Sequence, residues 1–173
     1  MRDFESGLTF DRLHETLRYT PATGQFRWLV SNSGRRQAGM IAGDKKADSG
    51  YILIGIDRVR YRAHRLAWLY MTGQWPAHQI DHINGIRSDN RWCNLREATQ
   101  QQNSANMRLR SANSSGVKGV YWNKQRGKWC ATLAYGRKQV HGGFYDDLND
   151  AAAAYRNLAK SYFGEFARPE RIK

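Results

Sequence analysis

The sequence predicts an α+β protein built from two small units, and three observations support this fold class. Helical and alternating hydrophobic patterns succeed one another through residues 1–110. The polar small-residue run SANSSG at residues 111–116 is typical of a linker. Residues 117–173 then carry three strand-like segments and one helical segment, which predict a three-stranded antiparallel sheet packed on one helix. A chain of 173 residues suffices for two small domains.

The opening of the chain predicts a short helix, a turn and a strand. The helix follows from the spacing of Leu8, Leu13 and Leu17, and the strand from the alternation after the TPATG turn, which begins at Phe26. Residues 31–50 predict a basic loop with a brief strand near GMIAG. Its basic side chains either contact phosphate or are solvated; they are Arg35, Arg36, Lys45 and Lys46.

The segment YILIGIDRVRYRAHRLAW, which begins at Tyr51, predicts a hairpin that turns at Asp57 and Arg58. The hairpin leads into a helix that Gly73 ends. A short strand, QID, then ends at His82. From Asn94 onward the residues NLREATQQQNSANMRLR include good helix formers and no glycine or proline, so we expect the next helix from Asn94 to about Leu109. At the end of the chain, Asp146 or Asp147 is expected to cap the last helix.

The charge distribution favours a nucleic-acid partner. The formal net charge is +13, and no acidic residue occurs between Glu97 and Asp146. Tryptophans and tyrosines lie among the basic residues of this stretch, which is typical of a polyanion-binding surface. A solvated basic face and a membrane surface are the alternatives. The sequence contains no amphipathic basic helix and no apolar run of the ~18 residues that span a bilayer, so nucleic acid is favoured.

The cysteine content and the N-terminus favour a reducing, cytoplasmic location. Cys93 and Cys130 are the two cysteines of the chain, too few for a disulfide framework or a CxxC zinc site. The N-terminal segment carries acidic residues throughout and lacks the apolar core of a secretory signal.

One stretch, QIDHINGIRSDNRWCNLREATQQQN, carries residues suited to phosphodiester hydrolysis. His82 can act as a general base because an unperturbed imidazole, with a pKa of ~6.5, is largely neutral at cellular pH. Asp81 offers a hard carboxylate oxygen to Mg²⁺. Asn94 is suited to hold the loop through hydrogen bonds to its backbone, and Asn103, further along the predicted helix, can face the metal.

The segment from HRLAW to QQQN resembles the HNH endonucleases of the ββα-metal fold, in particular the phage and homing-type members. The resemblance rests on DH, then NxxxNL, then a helical asparagine, with a ββα-metal core at about residues 60–110. It implies His82 as general base, Asp81 and Asn103 as ligands of Mg²⁺ or another divalent cation such as Mn²⁺, and Asn94 as the structural middle asparagine. Asn103 replaces the final histidine of the family name, as in the homing-type subgroup.

Three other histidines receive no catalytic role from the pattern. His64, near a helix start, is interpreted as a packing or capping residue. His14 and His78 have no partner in the motif and are interpreted as surface residues.

The segment from Ser115 to about Arg168 resembles the DNA-binding domain of the plant ethylene-response-factor and APETALA family. The resemblance rests on KGV, GKW, GGFY and AAAAY. It implies that the sheet reads the major groove of DNA. The positions matching the family's contacts are Lys118, Tyr121, Trp122, Lys124, Arg126, Thr132, Gln139 and His141. Several positions where the plant domain has arginine or tryptophan differ here, so its sequence preference does not transfer; His141 either contacts DNA or lies on the sheet surface.

Together these patterns predict an HNH endonuclease that cuts double-stranded DNA with a divalent metal in the cytoplasm of a bacterial or phage-infected cell, without a membrane partner. One active site per chain cuts one strand, so a double-strand break requires a homodimer or two successive nicks. The first alternative is a non-catalytic DNA-binding regulator on a nuclease-like scaffold. The second is an RNA-binding protein, for which exposed aromatic residues would be expected on adjacent strands.

Overall fold

The computed structural model describes residues 7–32, 34, 36–45, 49–106, 109 and 113–167. The chain divides into two compact units, Met1–Ala98 and Thr99–Lys173. Helices and small antiparallel sheets make up both, which confirms the predicted α+β class. The predicted linker at 111–116 falls within the second unit, and its first two residues lie outside the described residues. Arg35 and Lys46 of the basic loop predicted at residues 31–50 also lie outside the described residues.

The first unit opens with a capped helix and a hairpin. Helix α1 spans Phe10–Thr16, and the hydroxyl of Thr9 accepts a hydrogen bond from the backbone N–H of Arg12 at 3.2 Å, which fixes the helix start. Strands β1 (Leu17–Thr20) and β2 (Gln25–Trp28) follow as an antiparallel pair. The predicted helix and strand are confirmed, while β1 was not predicted because its buried positions continue the helical leucine spacing.

A second antiparallel sheet contains strands β3 (Asp44–Lys45), β4 (Ile52–Ile56) and β5 (Val59–Arg62) in that order. The two residues between β4 and β5, Asp57 and Arg58, both have positive φ (47° and 68°), as a tight two-residue hairpin requires. Helix α2 (Ala63–Thr72) follows at once. The predicted hairpin and helix are therefore confirmed.

Strands β6 (Gln79–His82) and β7 (Leu95–Ala98) form a third antiparallel pair, joined by the loop 83–94, whose last residues Trp92–Asn94 make one 3₁₀ turn. The predicted helix from Asn94 to Leu109 is therefore wrong over its first part. Helix α3 spans only Gln100–Asn106.

Two features of the chain explain why the helix begins so late. Leu95 and Ala98 are buried while paired with β6, so burial favours a strand there. Thr99 and Gln102 form a capping box: the Thr99 hydroxyl accepts from the Gln102 N–H at 3.3 Å, and the Gln102 side chain accepts from the Thr99 N–H at 2.8 Å. This reciprocal pair sets the helix start at Gln100.

The hydrophobic core of the first unit lies between α1, α2 and the strands around them. Its fully buried side chains include Leu13, Leu17, Phe26, Ile54 and Leu66. Burying a side chain of this size contributes roughly 1.5–3 kcal/mol, so this core holds the elements that carry the polar loop 83–94.

The β1–β2 hairpin supports that loop directly. The Tyr19 hydroxyl donates to the Asn90 carbonyl at 2.7 Å, and the Trp92 N–H donates to the Pro21 carbonyl at 3.0 Å. Gly24, at the hairpin turn, has φ +72°, and a Cβ there would lie 2.4 Å from the backbone of Asn90 and Arg91. The loop and the hairpin turn are therefore in backbone contact at a position that only glycine can occupy.

The second unit contains α3 and a three-stranded antiparallel sheet with a long helix. Strands β8 (Val120–Asn123), β9 (Lys128–Tyr135) and β10 (Lys138–Tyr145) lie in the order β10-β9-β8, with a register shift between His141 and Gly143. Helix α4 spans Leu148–Phe163 and is capped by Asp147, whose carboxylate accepts from two backbone N–H groups, as one of the two predicted caps.

Helix α4 covers one face of this sheet. A Cβ at Gly142 would lie 2.7 Å from Leu158, and Tyr135 packs edge-on against Tyr162. Ala131 and Leu133 are buried on this face. The strand register then assigns alternate residues to the other face, which we call the open face. It carries Tyr121, Cys130, Thr132, Ala134, Gln139 and His141.

None of the helices among the described residues is both long and apolar enough to cross a lipid bilayer. The longest, α4, has small and polar residues along much of its length.

Gly24→Ala is expected to destabilise the protein by about 2–4 kcal/mol, because it adds left-handed backbone strain and a clash with the Asn90 backbone. Gly73→Ala is the matched control, since Gly73 has φ +77° but nothing within 4 Å of its added Cβ. That variant should lose only about 1 kcal/mol. Urea unfolding followed by circular dichroism measures both, and equal losses would contradict the proposed contact.

Candidate active site

The pairing of β6 with β7 positions the carboxylate of Asp81. Asp81 lies directly opposite Arg96 in the strand register. Its Oδ2 accepts from Arg96 Nε at 3.1 Å and lies 3.0 Å from Arg96 Nη2. Both side chains are largely buried, where a charge-assisted pair is stronger than at the surface and fixes the orientation of the carboxylate.

His82 follows Asp81 at the end of β6 and is held by an asparagine. Its Nε2 lies 3.1 Å from Asn90 Oδ1, and both residues are buried, at 4% and 3% exposure. Since an amide oxygen only accepts hydrogen bonds, Nε2 donates in this pair. The neutral imidazole then carries its lone pair on Nδ1, the nitrogen that can take a proton.

The remaining amides of the loop 83–94 hold its backbone. Asn94 Nδ2 donates to the Asp89 carbonyl at 2.8 Å and to Asn84 Oδ1 at 3.1 Å, and Asn94 Oδ1 accepts from the Asn84 N–H at 3.0 Å. The Ile83 N–H donates to the Asn94 carbonyl at 2.9 Å. Asn94 therefore joins both ends of the loop, the kind of role predicted for it, although it lies in a 3₁₀ turn and not at an α-helix start.

Asp89 is the acidic member of this network. Its carboxylate accepts from Arg91 Nη2 at 2.6 Å and from Asn84 Nδ2 at 2.7 Å. The hydrogen bond from Arg91 is the main reason that the pKa of Asp89 is lowered to about 2. Asp89 is therefore ionised throughout the physiological range.

Asn90 is the site residue that the sequence did not single out. The loop contains asparagines at 84, 90 and 94, and no pattern in the sequence distinguishes the one that contacts His82. In the sequence, Asn90 stands out only as one residue of SDNRW, a segment that is predicted to be part of the loop. The structure distinguishes it by burial and by its contact with the imidazole.

The His82 imidazole lies in an aromatic environment. The His64 ring is 4.9 Å away in an edge-on arrangement, and the Tyr51 ring is 6.0 Å from it. Burial lowers the pKa of His82; the hydrogen bond to Asn90 and the charge of Asp81 oppose this effect. A lowered pKa keeps the ring neutral at physiological pH.

His64 is a packing residue, as interpreted from the sequence, and not a cap. The N-cap of α2 is Arg62, which makes no side-chain capping bond. His64 is 3% exposed, and its Nδ1 has no hydrogen-bond partner among the described residues. Burial, followed by the positive charges of His82, Arg62 and Arg65, lowers the pKa of His64 well below its usual value. His14, predicted at the surface, is instead half-buried and stacked on Tyr70 at 3.8 Å.

Asn103, the predicted second metal ligand, lies on α3 in the second unit, whereas Asp81 and His82 lie in the first. The Asn103 N–H donates to the Thr99 carbonyl at 2.9 Å, one helical turn earlier. Because α3 starts at Gln100, Asn94 and Asn103 do not lie on one helix, as the predicted helix from Asn94 to about Leu109 required.

The donor chemistry of the predicted ligands fits a hard cation. Within the described ranges, no three His, Cys, Asp or Glu side chains cluster in a way that would hold a metal by themselves. Mg²⁺ binds through one or two protein oxygens and otherwise keeps water or substrate phosphate. A carboxylate already oriented by Arg96 and an amide oxygen are ligands of this type.

The predicted DNA-contacting residues of the second unit fall into two groups. Tyr121, Thr132, Gln139 and His141 share the open face of the sheet. His141 is exposed, and its Nδ1 lies 3.6 Å from Cys130 Sγ. Arg126, in the β8–β9 turn, lies over the Phe144 ring at 4.5 Å. These residues form one surface with hydrogen-bonding groups and a cation.

Three other predicted contacts lie differently. Trp122 is on the α4 side of the sheet, edge-on to Trp129 at 5.1 Å, although it remains 45% exposed. Lys124 is exposed in the β8–β9 turn. Lys118 Nζ donates to the carbonyls of Ser104 at 3.1 Å and Ala105 at 2.7 Å, at the C-terminal end of α3. Its ammonium group therefore stabilises a helix end.

Comparison with known proteins shows which sequence family and which proteins this chain is similar to. A sequence model described as HNH endonuclease matches residues 61–105. Protein 3.8 of Escherichia phage T7 is 36% identical over 108 residues, which are 62% of this chain and 88% of that protein. An uncharacterised HNH endonuclease of Acanthamoeba polyphaga mimivirus is 32% identical over 160 residues, 88% of this chain and 71% of that protein. No solved structure matches the chain.

Stability is expected to fall as the pH is lowered through 6, because His64 and His82 both have lowered pKa values in the folded state. Below the unfolded pKa of ~6.5 the unfolded chain binds more protons than the folded one, so the free energy of unfolding decreases by up to about 1.4 kcal/mol per pH unit for each histidine.

Urea unfolding between pH 7 and 5.5 measures this slope, and Asp89 does not titrate in that window. His64→Leu should flatten the slope, whereas His78→Leu, at an exposed position, should leave it unchanged. An unchanged slope in His64→Leu would contradict the assignment.

Proposed function

The chain belongs to the HNH endonuclease family, and from this premise we propose that it is a metal-dependent endonuclease that hydrolyses phosphodiester bonds in double-stranded DNA. One observation carries the proposal: a buried imidazole at a strand end, beside a carboxylate, whose Nε2 is held by an amide oxygen at 3.1 Å. An oriented imidazole beside a carboxylate is the arrangement expected of a general base.

His82 acts as the general base in this proposal. It takes a proton from the attacking water at Nδ1, because Nε2 donates to Asn90. As the ring becomes positively charged, Asn90 Oδ1 and the carboxylates of Asp81 and Asp89 stabilise it. Asn90 is a positioning residue, since it fixes the tautomer and the orientation of the ring.

Asp81 and Asn103 are the proposed ligands of Mg²⁺ or of another divalent cation such as Mn²⁺. The bound cation would stabilise negative charge on the scissile phosphate and on the leaving oxygen. Arg96 holds the Asp81 carboxylate in one orientation. Asn94 acts indirectly by holding the loop that carries Asn90. The products would carry 5′-phosphate and 3′-hydroxyl ends.

The second unit is proposed to target the enzyme to DNA through the open face of its sheet. Its likeness to the ethylene-response-factor and APETALA domain supports this role, as does the absence of acidic residues between Glu97 and Asp146. Tyr121, Gln139 and His141 offer hydrogen-bonding groups on that face, and Arg126 offers a cation beside it. Lys118 is not required as a phosphate contact, since it binds α3 carbonyls.

One active site per chain cuts one strand in this proposal, so a homodimer or two successive nicks would produce a double-strand break. A homing-type activity in the cytoplasm of a phage-infected or bacterial cell is part of this proposal, and the relative from Escherichia phage T7 supports the phage context. The alternative is a DNA-binding regulator without catalysis. The complete set of Asp81, His82, Asn94 and Asn103 favours the enzyme, because a regulator without catalysis has no reason to keep it.

His82→Ala is expected to lower the nicking of supercoiled plasmid by about 10²–10⁴-fold, because the general base is lost. Agarose electrophoresis in Mg²⁺ measures the loss, and EDTA should abolish nicking by the wild type. Asn90→Ala should give a smaller loss, about 10-fold or more, since the ring remains but is no longer oriented.

His78→Ala is the matched control, because His78 is exposed and lies outside the loop network. Its activity should equal that of the wild type. Nicking that persists in EDTA or in His82→Ala would overturn the proposed mechanism.

Arg126→Gln is expected to weaken DNA binding by the full chain and to reduce the slope of log K against log salt by about 0.9, the value for one lost phosphate contact. Fluorescence anisotropy with a labelled duplex at several salt concentrations measures the slope. Arg156→Gln, which removes an equal charge from the exposed side of α4, should leave it unchanged. Equal slopes for all three proteins would argue against DNA binding at the Arg126 end of the sheet.

A further inference from the structure

Two arginines of the first unit lie against one aromatic ring beside the candidate general base. The guanidinium carbon of Arg62 is 4.9 Å from the Tyr51 ring centroid, and that of Arg87 is 5.0 Å from the same centroid. The Tyr51 ring is in turn 6.0 Å from the His82 ring. One half-buried tyrosine therefore connects two exposed cations with the imidazole.

The two arginines reach Tyr51 from different parts of the first unit. Arg62 is the last residue of β5, where it pairs with Leu53 of the neighbouring strand. Arg87 lies in the loop 83–94, and its Nη1 donates to the Ser49 carbonyl at 3.0 Å. Gly50, with φ +72°, provides the bend between this carbonyl and the Tyr51 ring. The convergence is a product of the fold and has no counterpart in a local motif.

Neither guanidinium has a carboxylate partner among the residues that the structure describes. Other arginines of this unit do: Arg12 pairs with Asp57, Arg91 with Asp89 and Arg96 with Asp81. A guanidinium carries five N–H donors in a plane that matches the oxygens of a phosphate. A cation–π contact with an aromatic ring restrains a guanidinium without using its N–H donors, so they can still bind an anion.

We propose that Arg62 and Arg87, held by Tyr51, form a phosphate-binding site, which we call the clamp. It binds the DNA backbone next to the phosphodiester bond that is hydrolysed at His82. The inference rests on the proposed nuclease function and adds to it the residues that bind the substrate in the first unit. A backbone phosphodiester is the ligand, because the site offers cations and planar N–H donors but no group that would read a base. Tyr51 is a positioning residue, since it acts through the two arginines.

Binding can be measured without catalysis. The probe is dimethyl phosphate, the smallest analogue of the DNA backbone, added to the ¹⁵N-labelled full chain without metal. The Nε–Hε signals of Arg62 and Arg87 should shift with saturation, while that of Arg18, exposed on β1, should not. Tyr51→Leu should abolish the shifts, and Tyr51→Phe, which keeps the ring, should retain them.

Kinetics on supercoiled plasmid provide the second measurement. Arg62→Gln and Arg87→Gln should each lower kcat/KM about 10- to 100-fold, because each removes a charge-assisted contact to phosphate. The single variant Arg18→Gln removes the same charge from an exposed position of the same unit and should stay within about 3-fold of the wild type. Arg62→Lys and Arg87→Lys should restore part of the loss, since charge returns without the planar fork.

The outcomes separate the clamp from the proposed function. If the arginine signals shift but no protein cuts DNA, the clamp stands and the nuclease function fails. If the wild type cuts DNA while neither arginine signal shifts and the Gln variants behave like the control, the clamp is overturned. If Tyr51→Phe loses as much as Tyr51→Leu, the supporting role of the ring is overturned.

Discussion

The antiparallel pairing of β6 and β7 is the constraint on which the candidate site depends. It sets Asp81 opposite Arg96 and His82 opposite Leu95, so one register fixes both the ion pair and the imidazole. A shift by one residue would exchange the two faces of each strand and bury the wrong side chains. The loop between the strands must then close over a fixed distance, which explains why so many of its bonds come from side chains.

The loop 83–94 joins the two strands and also provides hydrogen-bond partners for buried polar side chains. Asn90, Asn94, Asp81 and His82 are all at most 6% exposed, and a buried polar group without a partner costs ~1–3 kcal/mol. Asparagine provides both donors and an acceptor on a short side chain, so each one satisfies several backbone and side-chain groups. The hydrogen bonds of Asn90 and Asn94 therefore hold the loop at its two buried positions. The same network holds the His82 ring in one orientation through Asn90.

Much of the architecture could be predicted because its signals are local. The Asp57–Arg58 hairpin, helix α2 and the last helix follow from turn residues, apolar spacing and caps. The helix predicted from Asn94 was wrong because its residues have helical propensity, whereas Leu95 and Ala98 are held in a strand by pairing with β6, a long-range effect. The Thr99–Gln102 capping box was visible in the sequence and would have placed the helix start correctly. Asp81 and His82 could be named from a motif, but Asn90 depends on loop closure.

The distribution of charge shows why composition alone predicts a binding surface poorly. A net charge of +13 suggests that cations are spread over the chain, yet many are engaged within the protein. Lys118 binds helix carbonyls, and Arg96 neutralises Asp81. A cation with a carboxylate partner adds little attraction for DNA, since the pair is nearly neutral at a distance of one Debye length, ~10 Å. The cations that matter for a polyanion are those without such partners, and in the first unit Arg62 and Arg87 are of this kind beside the imidazole.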